Sequence, residues 1–219
     1  VSVESHGRNR FDHLHLWATT VTGLVALGIA VFNLVTLQSS PDIDVAMPHV
    51  VRVSQGKSAR LYVQPTITAK EQTQEVEVIT NVLLALNPPP EEKIVPHFFW
   101  DESGQWTVVE GKLTYRQTSD PTPVLVPYEK PQQPTMRFNA EGWKFKKEKY
   151  QGLLSVHRSG GRPPIVKEIC IVISRKNVAD FEALGPGGSL LFRNDHQPMP
   201  ADTPKDEIDC YKSLPSDSD

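Results

Sequence analysis

The chain has 219 residues, of which 38% are hydrophobic and 22% charged, with a net charge of −3, two cysteines and 19 prolines. That balance excludes a strongly basic nucleic-acid module and a small scaffold stapled by many disulfides. The averages conceal two regions: no charged residue lies between Asp12 and Asp42, and no proline precedes Pro41.

The first region is an apolar helix. Residues 16–37 read LWATTVTGLVALGIAVFNLVTL, which at about 1.5 Å per residue makes roughly 33 Å of helix, the depth of a bilayer core. Within lipid every backbone amide must be satisfied inside the segment, so its Val and Thr residues do not argue for a strand. Residues 1–15 form a short N-terminal segment carrying Arg8 and Arg10, with His6, His13 and His15 close by, whereas the first charges beyond the span are Asp42 and Asp44. The positive-inside rule then places the N-terminus in the cytoplasm and the larger domain outside it, with Trp17 at the headgroup level. A cleaved signal peptide is the rival reading; the apolar stretch exceeds a signal core of about 7 to 15 residues. Thr19, Gly23, Ala26, Ala30 and Asn33 recur at helical spacing and share one face, the pattern of a helix packed against a neighbour in the membrane.

Residues 38–48 read as a linker and residues 49–195 as one domain. Proline density excludes long helices there, and the stretches between prolines alternate with period two. In residues 75–86, Val76, Val78, Val82, Leu84 and Leu86 are expected on one face, with Glu75, Glu77 and Asn81 on the other. Further strands are expected over 49–54, 59–68, 112–117, 124–128, 152–158 and 165–174. Turn signals separate several of them: DESG at 101–104 is expected to join FFW to QWTVV, and Gly160 and Gly161 lie within HRSGGRPP. Many short strands with frequent turns predict a mainly β chain whose domain is an Ig-like β-sandwich. One helical turn is expected over 177–184, before Gly185. Residues 196–219 read as an extended acidic tail, since residues 195–219 hold seven acidic residues against Lys205 and Lys212. In an oxidising compartment Cys170 and Cys210 are expected to form a disulfide; the alternative is a buried free Cys170 and an incidental Cys210.

Catalytic signatures are missing from the sequence: it contains no GxSxG, GxxxxGK[ST], HExxH or CxxC. GPGGS at 185–189 follows the short helical segment instead of opening a helix, so it reads as a loop and not a phosphate cradle. His13 and His15 lack the third and fourth ligands a metal site needs, so they read as interfacial anchors beside the headgroups and not as a metal site. No cofactor is expected. The basic cluster RFNAEGWKFKKEKY reads as a strand with Trp143, Phe145 and Lys147 alternating against Lys144 and Lys146. Phe98, Trp100 and Trp106, with Lys144 and Lys146, are the expected partner surface. The absence of an N-x-S/T sequon suits an exported bacterial domain or a cytoplasmic one.

The sequence therefore predicts a non-enzymatic, single-pass protein of the bacterial inner membrane, acting as an accessory or scaffold subunit. Its expected partners are the bilayer and another membrane protein or a second copy, and no nucleic acid. The alternative is a membrane-tethered sensor or receptor domain that binds a small molecule or glycan.

Overall fold

The protein is described by a computed structural model over residues 8–38, 41–73, 75–88, 95–185, 187–195, 207 and 209–213. Residues 1–7 of the expected cytoplasmic segment, and most of the expected tail, lie outside the described residues.

Helix α1 runs Arg8–Gln38. Its segment His15–Val35, 21 residues, is long and apolar enough to cross a membrane, and none of it is buried against the rest of the protein. The hydroxyls that interrupt its apolar surface are satisfied within the helix: Thr20 Oγ1 donates to the Leu16 carbonyl at 2.7 Å and Thr22 Oγ1 to the Ala18 carbonyl at 2.8 Å. Such back-bonding lets Thr enter hydrocarbon without an orphaned donor.

Thirteen strands follow among the described residues: β1 Ile43–Ala46, β2 Val50–Gln55, β3 Ala59–Val63, β4 Thr66–Ala69, β5 Glu77–Leu86, β6 His97–Val109 and β7 Lys112–Ser119. Then come β8 Val124–Val126, β9 Thr135–Ala140, β10 Glu148–Arg158, β11 Ile165–Ile173, helix α2 Arg175–Leu184, β12 Leu190–Arg193 and β13 Lys212–Ser213. They do not form two packed sheets. A single path of hydrogen-bonded antiparallel neighbours runs β11-β10-β5-β6-β9-β3-β2-β12-β13, and its two ends meet through a parallel bridge between Ile171 and Tyr211. The expected Ig-like β-sandwich is therefore overturned: the domain is a large, nearly closed nine-stranded antiparallel barrel. Strands β7 and β8 hang from β6 and β5, and β1 pairs with β4 as a separate ribbon.

The closure comes from residues that the sequence reading assigned to an extended tail. Cys170 and Cys210 are joined by a disulfide. Beside it the Tyr211 N–H donates to the Cys170 carbonyl at 2.8 Å, and the Val172 N–H to the Tyr211 carbonyl at 3.0 Å. The Tyr211 hydroxyl donates to the Pro48 carbonyl, at the head of β2. Cys210 and Tyr211 are only 3% and 2% exposed. A two-residue apolar island in a polar segment is enough to shut a ring whose other neighbours are already in place. Strand β1 likewise occupies part of the expected linker, because Ile43 and Val45 bury fully against the barrel.

The ring is a filled core and not a channel, as expected for a barrel of this size. Leu61, Met136, Phe138, Leu154, Ile171 and Phe192 are all fully buried inside it. Each contributes about 1.5 to 3 kcal/mol relative to exposure. One end is plugged by an aromatic cluster of Phe98, Trp143, Phe145 and Tyr150, with centroids 4.9 to 6.0 Å apart. Trp143 and Phe145 do point inward, but on an irregular loop and not on the strand their alternation implied.

Two bulges explain the remaining misreadings. In β5, Asn81 pairs with His157 but Ile79 pairs with Arg158, so Thr80 is an extra residue. The parity flips there: Val82, Leu84 and Leu86 are inside as the alternation predicts, while Glu77 and Ile79 replace Val76 and Val78 on the inner face. The buried Glu77 carboxylate is met by Arg162 and, at 3.9 Å, by Arg158. In β6 the register shifts between Trp100 and Glu102, so DESG is a bulge around Asp101 within one long strand. The hairpin turn lies further on, at Glu110 (φ 51°) and Gly111 (φ 76°), the left-handed pair that a two-residue turn between twisted strands requires.

Candidate functional site

The bulge at Asp101 determines where β6 goes next. Its first half lies in the barrel wall between β5 and β9; beyond Gly104 only β7 accompanies it. The freed β6–β7 hairpin leans across the outer face of β9, β3 and β2. Two aromatic contacts hold it there: Tyr62 on β3 stands 5.0 Å from Trp106 and 4.8 Å from Tyr115, while within the hairpin Trp106 stands 5.5 Å from Tyr115 (centroid distances). The Tyr115 ring lies directly over Gly104, at a spot where a Cβ would collide with it.

The outward side chains under the hairpin form a cross-strand row, Arg52 on β2 opposite Tyr62, Tyr62 opposite Arg137 on β9, and Arg137 opposite Glu102 on β6. The two guanidiniums differ in their surroundings. Arg137 donates from Nε to Asp101 at 3.0 Å and from a terminal nitrogen to the other Asp101 oxygen at 2.7 Å, and it also pairs with Glu102. Those carboxylates keep its pKa above the usual arginine value despite burial. Arg52 stacks its guanidinium 4.7 Å from the centre of the Trp106 ring and has no carboxylate partner among the described residues. Burial alone acts on it, pushing its pKa down. Burial also raises the pKa of Tyr62 and of Tyr115.

Between hairpin and barrel is a cleft of about 450 Å³, within the range of about 300 to 1,000 Å³ typical of small-molecule sites. Trp106 and Leu113 roof it, Arg52 and Tyr62 form the floor, and Pro48 and His49 close one side. Its open rim carries Gln64, Thr66, Gln133 and Thr135. Gln133 Nε2 donates to Thr66 Oγ1 at 3.0 Å and Gln64 Nε2 to the Gln133 carbonyl at 3.2 Å, which fixes the rim. None of the lining residues is acidic.

A second surface lies on the opposite part of the ring. Phe99 on β6 is directly opposite Leu83 on β5, Leu83 opposite Ser155 on β10, and Ser155 opposite Val166 on β11. Leu153 is two residues along β10, paired with Ala85. Phe99, Leu83, Leu153 and Val166 are 42% to 47% exposed. Across four strands, at about 4.8 Å each, this is an apolar stripe roughly 14 Å wide.

The residues singled out from sequence are thus distributed over the molecule. Phe98 and Trp100 are buried in the core and do not form a surface; their neighbour Phe99 is the aromatic that faces outward. Trp106 belongs to the cleft, and Lys144 and Lys146 lie on the exposed loop before β10, away from it. Thr19, Gly23, Ala26, Ala30 and Asn33 all lie on the uncovered part of α1. Among the described residues no group of His, Cys, Asp or Glu is placed to hold a metal ion. Arg52, Gln64 and Gln133 were not singled out from sequence, since only the folded-over hairpin makes them neighbours; the Trp106 and Tyr115 pair, either side of EG in a hairpin pattern, was the one available signal. The comparisons give no lineage to set beside this geometry: no family model, no curated protein and no solved structure matches the chain.

Proposed function

We propose that the chain is a membrane-anchored, non-enzymatic accessory or scaffold subunit whose barrel docks on another membrane protein outside the cytoplasm. The observation that carries this reading is the stripe of Phe99, Leu83, Leu153 and Val166. It is a patch of four large apolar side chains, with Ser155 between Leu83 and Val166, on the outside of a barrel whose inside is already filled, and such a patch marks a contact surface.

Two further features support it. The Cys170–Cys210 disulfide suits an oxidising compartment, in agreement with the positive-inside orientation of α1. On α1, the Asn33 side chain has no hydrogen-bond partner among the described residues, unlike those of Thr20 and Thr22, and a second helix in the membrane would satisfy it.

The test is purification of the full-length protein from its native membranes in mild detergent, comparing wild type with the Phe99→Asp, Leu83→Asp variant. Both side chains point outward, so the barrel is expected to survive. A stoichiometric partner is expected with the wild type and lost from the variant. Recovery of the same partner with both proteins would refute docking through this stripe.

A further inference from the structure

We infer that the cleft beneath the β6–β7 hairpin binds a sugar acid, with Arg52 holding its carboxylate and the side chains of Gln64 and Gln133 meeting its hydroxyls. This site is independent of the apolar stripe on the far side of the ring.

The charge requirement comes from Arg52. Half-buried cations in proteins are ordinarily paired, because desolvation without a partner is costly. Of the other guanidiniums around the barrel, Arg137 has Asp101 and Glu102, and Arg158 and Arg162 share Glu77; Arg60 leaves its buried Nε without a partner among the described residues, but unlike Arg52 it lines no part of the cleft. Arg52 has only the Trp106 ring. With the Trp106 ring over it and no carboxylate beside it among the described residues, the guanidinium can offer its N–H fork to a planar anion, the group whose geometry matches it.

The body of the guest follows from the rim. Gln64 and Gln133 each use one N–H to hold the rim together, so each keeps a carbonyl oxygen and a second N–H for a ligand. Side-chain amides and hydroxyls facing an aromatic and aliphatic roof, Trp106 and Leu113, suit a molecule with hydroxylated edges and C–H faces. A purely apolar acid would leave the amides unpaired, and an inorganic anion would leave the roof empty.

The experiment is calorimetric titration of full-length protein in detergent with D-glucuronate, glucose and inorganic phosphate as separate probes. Glucuronate is expected to bind saturably in the millimolar range or tighter, with glucose and phosphate each at least tenfold weaker. Arg52→Gln is expected to reduce glucuronate to the level of glucose. Gln133→Ala, on the exposed rim, is expected to weaken glucuronate several-fold without moving the unfolding midpoint. No saturable heat with glucuronate overturns the inference, as does glucose or phosphate binding equally well. So does a folded Arg52→Gln protein that keeps its affinity; if that variant does not fold, an unchanged affinity in Gln133→Ala overturns it instead.

Discussion

Removing the Cys170–Cys210 crosslink tests whether the barrel depends on its seam. The two cysteines are 40 residues apart. Chain-entropy loss on closing a loop of that length corresponds to about 4 kcal/mol at 25 °C, within a usual range of about 2 to 4 kcal/mol once a compact unfolded state is allowed for. The native cost is small, because the backbone bonds between Tyr211 and the strand bearing Cys170 remain available. For a domain of this size each kcal/mol moves the midpoint by about 2 to 4 °C, so Cys170→Ala, Cys210→Ala is expected to melt roughly 4 to 16 °C below wild type. The assay is thermal unfolding of the full-length protein followed by near-ultraviolet circular dichroism, with and without reductant. Wild type under reductant should move to the position of the double variant, and the variant should ignore reductant. A drop of less than about 2 °C would mean that the unfolded chain gains little freedom from the cut, and the entropy argument would fail.

Alkaline pH should attack the same seam. Burial pushes the Tyr211 pKa up to about 12, against an unfolded value of about 10. The folded state therefore keeps a proton that the unfolded chain gives up, so stability is unaffected below pH 10 and falls as pH rises from about 10 through about 12. Tyr211→Phe should flatten that fall while costing about 1 kcal/mol at neutral pH for the lost bond to the Pro48 carbonyl, read by unfolding midpoints across pH; an equally steep alkaline loss in the variant would contradict the assignment. Gly104→Val should displace the Tyr115 ring and lift the hairpin, at a cost of about 1 to 3 kcal/mol, with red-shifted tryptophan emission and faster proteolysis between β6 and β7. Unchanged emission and cleavage would show that the hairpin does not lean on this contact.

How much of the fold was legible depended on how far each signal reached along the chain. The apolar helix needed only its own composition, since 21 uncharged residues cannot be read as anything shorter. Strand periodicity was equally local, and it held from Val82 to Leu86. It failed at Thr80, because a bulge is set by the partner strand and not by the residues that flip. The same blindness turned DESG into a turn, whereas Phe98 and Trp100 follow plain alternation, and only the neighbouring strands decide that they, and not Phe99, face the core. Closure was hidden most deeply. Tyr211 sits among charged and proline-rich residues, and nothing nearby says that Ile171 and Pro48 await it. The cleft depends on both kinds of long-range information, a bulge to release the hairpin and a register that sets Arg52 opposite Tyr62.

The position of Tyr211 also dictates an order of assembly. A ring whose last link comes from Tyr211, beside the two-residue strand β13, cannot close until that segment has been synthesised, however early β2, β3 and β5 are available. Until then β11 presents an unpaired edge, the feature that makes incomplete sheets prone to pairing with the wrong chain. Oxidation of Cys170 with Cys210 then acts as a latch on a finished object: it reports that the C-terminal segment has arrived, and it holds that segment over part of the β11 edge that a neighbouring copy would otherwise extend.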